Sequence, residues 1–393
     1  MKILSVVGAR PNFMKIAPII SAIESYNTGS SALSSSAGKG RIDHFLVHTG
    51  QHYDRIMSES FFQDLGIPEP DASLGVGPGT QAVQTAEILN RFEPILLNER
   101  PDMVIVVGDV NSTLACVLVA AKISYDTNGK RPLIAHVEAG LRSFDRTMPE
   151  EVNRVATDHL CDLLFVTEQS GIENLKKEGI PDEKIFFVGN TMIDTLMSFR
   201  EMASKSDVLK SMGLVERSNG SETITPYALL TLHRPSNVDN RETFSGILDA
   251  LETISARLPV VFPAHPRTRK QMTSFHLQNN TPLASGLGVR VTEPLGYIDF
   301  LCLMSNAKLV LTDSGGIQEE TTCLGVPCVT IRENTERPVT VTEGTNLICG
   351  VKPEAIVNAA DRQLARPKSN STPKFWDGRA SFRIIDAILG QFA

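Results

Sequence analysis

The chain has 393 residues, 41% of them hydrophobic and 21% charged. That is a globular composition, which at roughly 150 residues per domain predicts two domains and excludes both disorder and a lone small module. A net charge of -7 provides no global field for a polyanion, so no nucleic-acid partner is expected unless cations converge locally.

Six cysteines, at 116, 161, 302, 323, 328 and 349, form no C-x-x-C pair and sit mostly in apolar runs, as buried thiols of a reducing compartment do. Apolar stretches reach only about eight residues, against the roughly 20 that span a bilayer. Met1 to Val7 meets Gly8-Ala9-Arg10-Pro11 too soon for a secretion signal. A soluble cytoplasmic protein with no membrane partner is the expectation.

In chain order, short runs of Val, Ile, Leu and Phe occur at Ile3–Val7, Phe45–Val47, Met103–Val107, Leu133–Val137, Leu163–Val166 and Ile185–Val188. A second set follows at Tyr227–Leu232, Pro259–Phe262, Val289–Thr292, Leu309–Thr312, Pro327–Ile331 and Asn346–Cys349. Helical patterns separate them, so the runs read as parallel strands buried on both faces. The polar stretch Ser198 to Thr225 divides them into two doubly wound α/β halves, with a ligand site expected in a cleft between. Thr28 to Gly40, rich in serine and glycine, is expected to be a mobile surface loop without chemistry.

Ligands of such sheets lie beyond the carboxyl ends of the strands, and that is where the charge collects. Arg10, His48, Asp109, Glu138 and Arg142 follow runs of the first half; His233, Arg234, His265, Asp313 and Arg332 follow runs of the second. An acidic protein has gathered cations at one prospective site, which suits an anionic ligand. Asp313-Ser314-Gly315-Gly316-Ile317-Gln318-Glu319-Glu320 follows a buried strand and opens a helix, where glycine amides can approach a phosphate. Glu320 can then accept two ribose hydroxyls, or simply complement the helix dipole, and Ser314 can serve as an ordinary N-cap.

Three acids carry comparable alternatives. Asp109 can cap the helix beginning near Asn111, and Glu150 and Glu151 can be first-turn acids after Pro149. Glu138, directly after a strand and before a glycine, has no capping role, and a raised pKa is expected there. Asn153, Arg154 and Thr157 share the helical face of Glu150, a face that can equally be solvated. No phosphate loop of the G-x-x-x-x-G-K-[ST] kind and no H-E-x-x-H site is present. The G-x-G-x-G at 75, 77 and 79 follows no buried strand, and His48 and His52 lack a matched set of further ligands, so no metal site is expected.

Taken together, Gly8-Ala9-Arg10-Pro11 with Lys15, Thr49-Gly50-Gln51-His52, Gly108-Asp109, His136 through Arg142, Pro149-Glu150-Glu151 with Asn153-Arg154, Gly189-Asn190-Thr191, His233-Arg234, Asp313 through Glu320, and Thr335-Glu336-Arg337-Pro338 resemble the non-hydrolysing UDP-N-acetylglucosamine 2-epimerases. The resemblance runs in order along nearly the whole chain. It implies two Rossmann-like doubly wound domains of glycosyltransferase-B type: residues 1–195, completed by a C-terminal helix within 375–393, and a nucleotide-binding domain over 196–374.

The implied reaction interconverts UDP-GlcNAc and UDP-ManNAc without a cofactor, by eliminating UDP across C1–C2 to enzyme-held 2-acetamidoglucal and adding it back. Carried over by position, Asp109, Glu138 and Glu150 match the catalytic acids, and His233 matches a catalytic or phosphate-contacting histidine. Arg10, Ser314, Gly315, Gly316, Glu320 and Arg337 match nucleotide-binding positions, with Lys15 and Arg142 among the substrate contacts. A UDP-sugar is the implied partner and a homodimer the implied assembly.

Tyr53-Asp54 departs from the better-known bacterial pattern, which has an Arg after Gln-His. That departure resembles a subgroup acting on UDP-2,3-diacetamido-2,3-dideoxyglucuronic acid and implies altered or absent allosteric activation. A hydrolysing 2-epimerase, a glycosyltransferase on the same fold and a silent nucleotide-sugar-binding regulator are the remaining alternatives.

Overall fold

A computed structural model describes residues 1–29, 40–51, 65–218, 220–277, 288–366 and 372–392, without the side chain of Arg10. Most of the expected serine-rich loop, 30–39, and the Tyr53-Asp54 departure lie outside the described residues. The chain divides into two units, Met1–Thr195 with Lys374–Ala393, and Leu196–Pro373.

The first unit is a seven-stranded parallel sheet of order β3-β2-β1-β4-β5-β6-β7. Its strands are β1 (Lys2–Val7), β2 (Asp43–His48), β3 (Ala72–Ser73), β4 (Met103–Val107), β5 (Leu133–Ala139), β6 (Leu163–Val166) and β7 (Ile185–Phe187). Between them run α1 (Arg10–Asn27), α2 (Gln81–Glu99), α3 (Asn111–Lys122), α4 (Pro149–Leu160) and α5 (Gln169–Lys177), and α6 (Thr191–Ser204) follows β7. Every residue of β4 and β6 is buried, because helices cover both faces of the sheet. Parallel pairing of β1 with both β2 and β4 reverses the direction in which strands are added, making a topological switch at the β1/β4 boundary.

The second unit repeats the plan with a six-stranded parallel sheet of order β12-β11-β10-β13-β14-β15. Its strands are β10 (Ala228–Thr231), β11 (Val260–Pro263), β12 (Val289–Thr292), β13 (Leu309–Thr312), β14 (Cys328–Thr330) and β15 (Asn346–Ile348). The longer helices are α7 (Arg241–Ser255), α8 (Pro266–Ser274), α9 (Tyr297–Asn306), α10 (Gly315–Leu324) and α11 (Pro353–Ala365). Here the switch lies between β10 and β13, which pair from Ala228↔Leu309 to Thr231↔Thr312.

One feature departs from the sequence expectation. The polar stretch Ser198 to Thr225 contains an antiparallel hairpin, β8 (Val215–Ser218) with β9 (Ser221–Ile224), whose residues are almost all exposed and so show no apolar alternation to read. At the other end of the chain, α12 (Ala380–Gln391) packs with α1 in the first unit. Asp194 at the start of α6 accepts the first amides of α12, Ala380 N at 3.1 Å and Ser381 N at 2.7 Å.

Candidate active site

In each unit the candidate residues lie beyond the carboxyl ends of the strands. In the first unit, the loops leaving β1 and β4 are sewn together by Asn12. Its Oδ1 accepts from Gly8 N at 3.1 Å and Ala9 N at 3.0 Å, while its Nδ2 donates to Val107 O at 2.9 Å. One turn further along α1, Lys15 makes a close ion pair with Glu138, both side chains nearly inaccessible to water. Gly108 makes room for this pair: a Cβ there would stand 2.9 Å from Lys15 Nζ and 3.3 Å from Asn12 Nδ2.

Glu138 itself has φ of 77°, left-handed backbone that is rare for a side-chain-bearing residue. The β5/β6 register shifts between Val137 and Ala139, so Glu138 is the bulged residue. A bulge of this kind re-aims one side chain at a functional position while the strand continues on either side.

Asp109 is not the N-cap of α3, which is Val110. The Asp109 carboxylate instead receives Arg154 Nε at 3.0 Å and NH2 at 2.7 Å. The face of α4 that was open to either reading is buried, with Asn153, Arg154 and Thr157 all largely excluded from solvent. Asn153 Nδ2 holds the Asp109 carbonyl at 2.9 Å.

Of the two first-turn acids, Glu151 is committed to structure: it accepts from Ser143 N, Ser143 Oγ and Phe144 N, and binds Arg154 at 2.7 Å. Burial alone would raise its pKa, but those amides and Arg154 hold it below the usual carboxylate range. Glu150, half-buried, has no hydrogen-bond or ion-pair partner among the described residues and is available to a ligand.

Arg142, expected as a substrate contact, makes ion pairs within its own unit. Its guanidinium is buried and occupied by Asp158 at 2.8 Å and Glu178 at 2.7 Å. Those two acids outweigh the burial that would otherwise lower its pKa, so it stays charged inside the unit. Arg10 is the first residue of α1, ahead of Pro11, and only its backbone is described.

In the second unit Asp313, at the end of β13, is inaccessible to solvent and accepts His233 N at 3.0 Å and Arg234 N at 2.9 Å, which ties the loop after β10 to the start of α10. His233 Nδ1 lies 3.1 Å from Asp313 Oδ1, with the ring about half exposed. Burial works against the Asp313 charge, but His233 and the two amides keep its pKa below the ordinary value. Ser314 occupies the N-cap position of α10 without a side-chain cap bond, so its hydroxyl is not spent on the helix.

Around that helix start three arginines converge on two acids. Glu336 takes Arg332 at 2.9 Å, Arg337 at 3.3 Å and Arg234 at 3.4 Å, and Arg337 also takes Glu319 at 2.8 Å. Three guanidiniums against two carboxylates leave a net positive charge beside open helix amides, a setting for phosphate. Gly315 is where the Arg337 side chain passes, since a Cβ there would come within 2.6 Å of its NH1. One turn on, Glu320 is buried and accepts from Tyr297 OH at 2.9 Å. Burial pushes its pKa up to about 7, with Tyr297 opposing the rise and Glu319 adding to it.

A family model described as UDP-N-acetylglucosamine 2-epimerase matches residues 35–389 of the chain. The chain belongs to this epimerase family. A UDP-N-acetylglucosamine 2-epimerase of Methanocaldococcus jannaschii is 41% identical over 98% of both chains. A crystal structure of the enzyme from that organism, in complex with UDP-GlcNAc and UDP, superposes with a TM-score of 0.84 at 39% identity over the full length of both. The UDP-2,3-diacetamido-2,3-dideoxy-D-glucuronate 2-epimerase of Pseudomonas aeruginosa is 38% identical over 99% of both chains. The fold of the epimerase family is thus the fold described above.

Several residues of this family member escaped the sequence reading as site residues. Arg154 and Asn153 were visible as a polar face and a motif without assigned roles, and Arg332 as a cation beyond a strand, whereas Asp158 and Tyr297 carried no signal, because their partners lie far along the chain. Arg154 meets Asp109 across 45 positions.

Proposed function

We propose that this protein interconverts UDP-GlcNAc and UDP-ManNAc by eliminating UDP and adding it back. In the first half-reaction the C2 hydrogen leaves as a proton, the C1–O bond breaks with its electron pair going to the β-phosphate of UDP, and a C1–C2 double bond forms. In the second, the phosphate oxygen returns to C1 and a proton arrives at C2 on the opposite face. Electrons balance without an external oxidant.

The observation that carries this reading is Glu138, a carboxylate placed by a strained bulge against Lys15 and beside Gly108-Asp109. Proton removal and return need acid/base groups of this kind. Asp109 and Glu150 are the companion acids, and both retain some solvent access. Developing charge on the leaving phosphate needs preorganised cations and amides. His233, Arg337 and the Ser314-Gly315-Gly316 backbone serve that end, joined by Arg10, and Glu320 takes the ribose hydroxyls.

The test is incubation with UDP-GlcNAc in D2O, followed by NMR of C2. Deuterium at C2 of a sugar still attached to UDP supports the proposal. Release of free ManNAc and UDP identifies a hydrolysing enzyme, and a need for an acceptor identifies a transferase.

A second substrate is favoured by the 38% identity to the diacetamidoglucuronate enzyme, barely below the 41% to the GlcNAc enzyme. Supplying both UDP-sugars to the same preparation and comparing kcat/KM decides between them. The proposal includes a cytoplasmic homodimer, which mass photometry and cell fractionation test. Among the described residues no helix is long and apolar enough to cross a membrane.

A further inference from the structure

Left-handed backbone at a residue such as Glu138 is strained and persists only where the surroundings over-determine it. One buried pair does this. His136, two residues before Glu138 and wholly buried, places Nδ1 2.6 Å from Asp158 Oδ1 and Nε2 2.8 Å from the Gly108 carbonyl oxygen. The other Asp158 oxygen accepts from Gly140 N at 3.0 Å and lies 2.8 Å from Arg142 NH2. Asp158 therefore grips β5 beyond the bulge directly, and through the imidazole it grips the carbonyl that precedes Asp109. The amide of Gly108 closes the frame on Val137 O at 3.0 Å.

Both ring nitrogens of His136 face acceptors, so the contacts require two hydrogens between the ring and the carboxyl. Burial favours a neutral Asp158, but His136 and Arg142 more than offset it and hold the group below the usual carboxylate range.

We infer that His136, gripped by Asp158, is a positioning residue that fixes the separation of the two backbone segments carrying Asp109 and Glu138. It touches neither acid's side chain in the described contacts and acts through Gly108 and the bulge. Its consequence for turnover rests on the epimerase reading; its hydrogen bonds do not.

The test uses full-length protein labelled with 15N-histidine. The chain has eight histidines, and His136 is distinguished by ring hydrogens that exchange slowly because they are buried. In the unmodified protein a protected hydrogen is expected on Nε2 of His136, donated to the Gly108 carbonyl. Asp158→Asn should speed its exchange. A His136 ring with no protected hydrogen in the unmodified protein overturns the inference without any variant.

Kinetically, Asp158→Asn and His136→Gln should each lower kcat about 10²-fold, the scale of a displacement near 1 Å, while the Kd for UDP changes less than twofold. Unchanged kcat in either folded variant also overturns the inference. If the unmodified protein shows the protected Nε2 hydrogen but no exchange at C2 of UDP-GlcNAc, the epimerase reading fails and the ring assignment stands.

Discussion

Tyr297 donates its phenolic hydrogen bond to Glu320 at 2.9 Å inside the second unit, with the edge of Phe199 packed against the tyrosine ring at 6.1 Å between centroids. The contact opposes a burial that still carries the Glu320 pKa to about 7. A ribose-binding carboxylate would therefore be only partly ionised near neutrality, and nucleotide affinity becomes linked to pH.

The direction comes from the linkage. Binding to two ribose hydroxyls favours the carboxylate, so UDP should bind more tightly as pH rises through 7 and level off above it. One unit below that pKa the affinity should be about tenfold weaker than the plateau, since roughly one molecule in ten is ionised. Calorimetry from pH 6 to 8.5 checks this, with Glu320→Gln as the control for titration of UDP itself. Tyr297→Phe should move the midpoint upward; a midpoint that stays in place would show that the phenol does not tune Glu320. For folding the sign is opposite. A carboxyl whose folded pKa is raised contributes stability that is present below its ordinary value of 4.5 and lost as pH rises through about 7.

Glu138→Gln and Asp109→Asn should each lower turnover by about 10²-fold or more, with UDP affinity retained. Glu138→Gln should also destabilise the protein by about 3–5 kcal/mol, because Lys15 is left as an unpaired buried cation. Pairing it with Lys15→Met separates the two effects. The double variant should recover much of the stability in chemical denaturation and none of the turnover. Recovery of turnover along with stability would return Glu138 to a structural role.

Much of this architecture was legible because buried parallel strands advertise themselves as unbroken Val, Ile and Leu runs. Met103–Val107, Leu163–Val166 and Leu309–Thr312 are strands at the limits read from the sequence. Reading only the residues just past those runs reached Asp109, Glu138, His233 and Ser314. Local chain direction sets where a residue beyond a strand end lies, but it does not set which groups the side chain touches. Arg142 comes after β5 as Arg10 comes after β1, yet it turns inward to Asp158 and Glu178. Tyr297 and Asp158 matter through partners such as Glu320 and His136, 23 and 22 positions away. No local pattern encodes such pairings.

Gly315→Ala should weaken UDP binding without unfolding the protein. The added methyl would meet Arg337 NH1 at 2.6 Å, and that guanidinium is tied to Glu319 and Glu336, so relief requires moving the arginine. The loss of one charge-assisted hydrogen bond to phosphate is worth about 1.5–3 kcal/mol, or roughly tenfold or more in Kd. Unaltered UDP affinity in a variant of normal Tm would remove Arg337 from the phosphate site.

Asp194 should matter to the C-terminal helix rather than to chemistry. Its carboxylate accepts the amides of Ala380 and Ser381 at the start of α12, a bridge across 186 and 187 positions to a helix whose N-cap residue supplies no side-chain bond of its own. Burial raises its pKa even though those amides pull it down, so the site is poorly hydrated and water is a weak substitute for the lost acceptor. Asp194→Ala should cost on the order of 1–2 kcal/mol, the upper part of the range for a lost helix cap. Hydrogen exchange should rise first within Ala380–Gln391, while β1 and β4 stay protected. Uniform acceleration across the first unit would instead mean that α12 and the sheet open together, and the residue would then be a part of the global core rather than a local clasp.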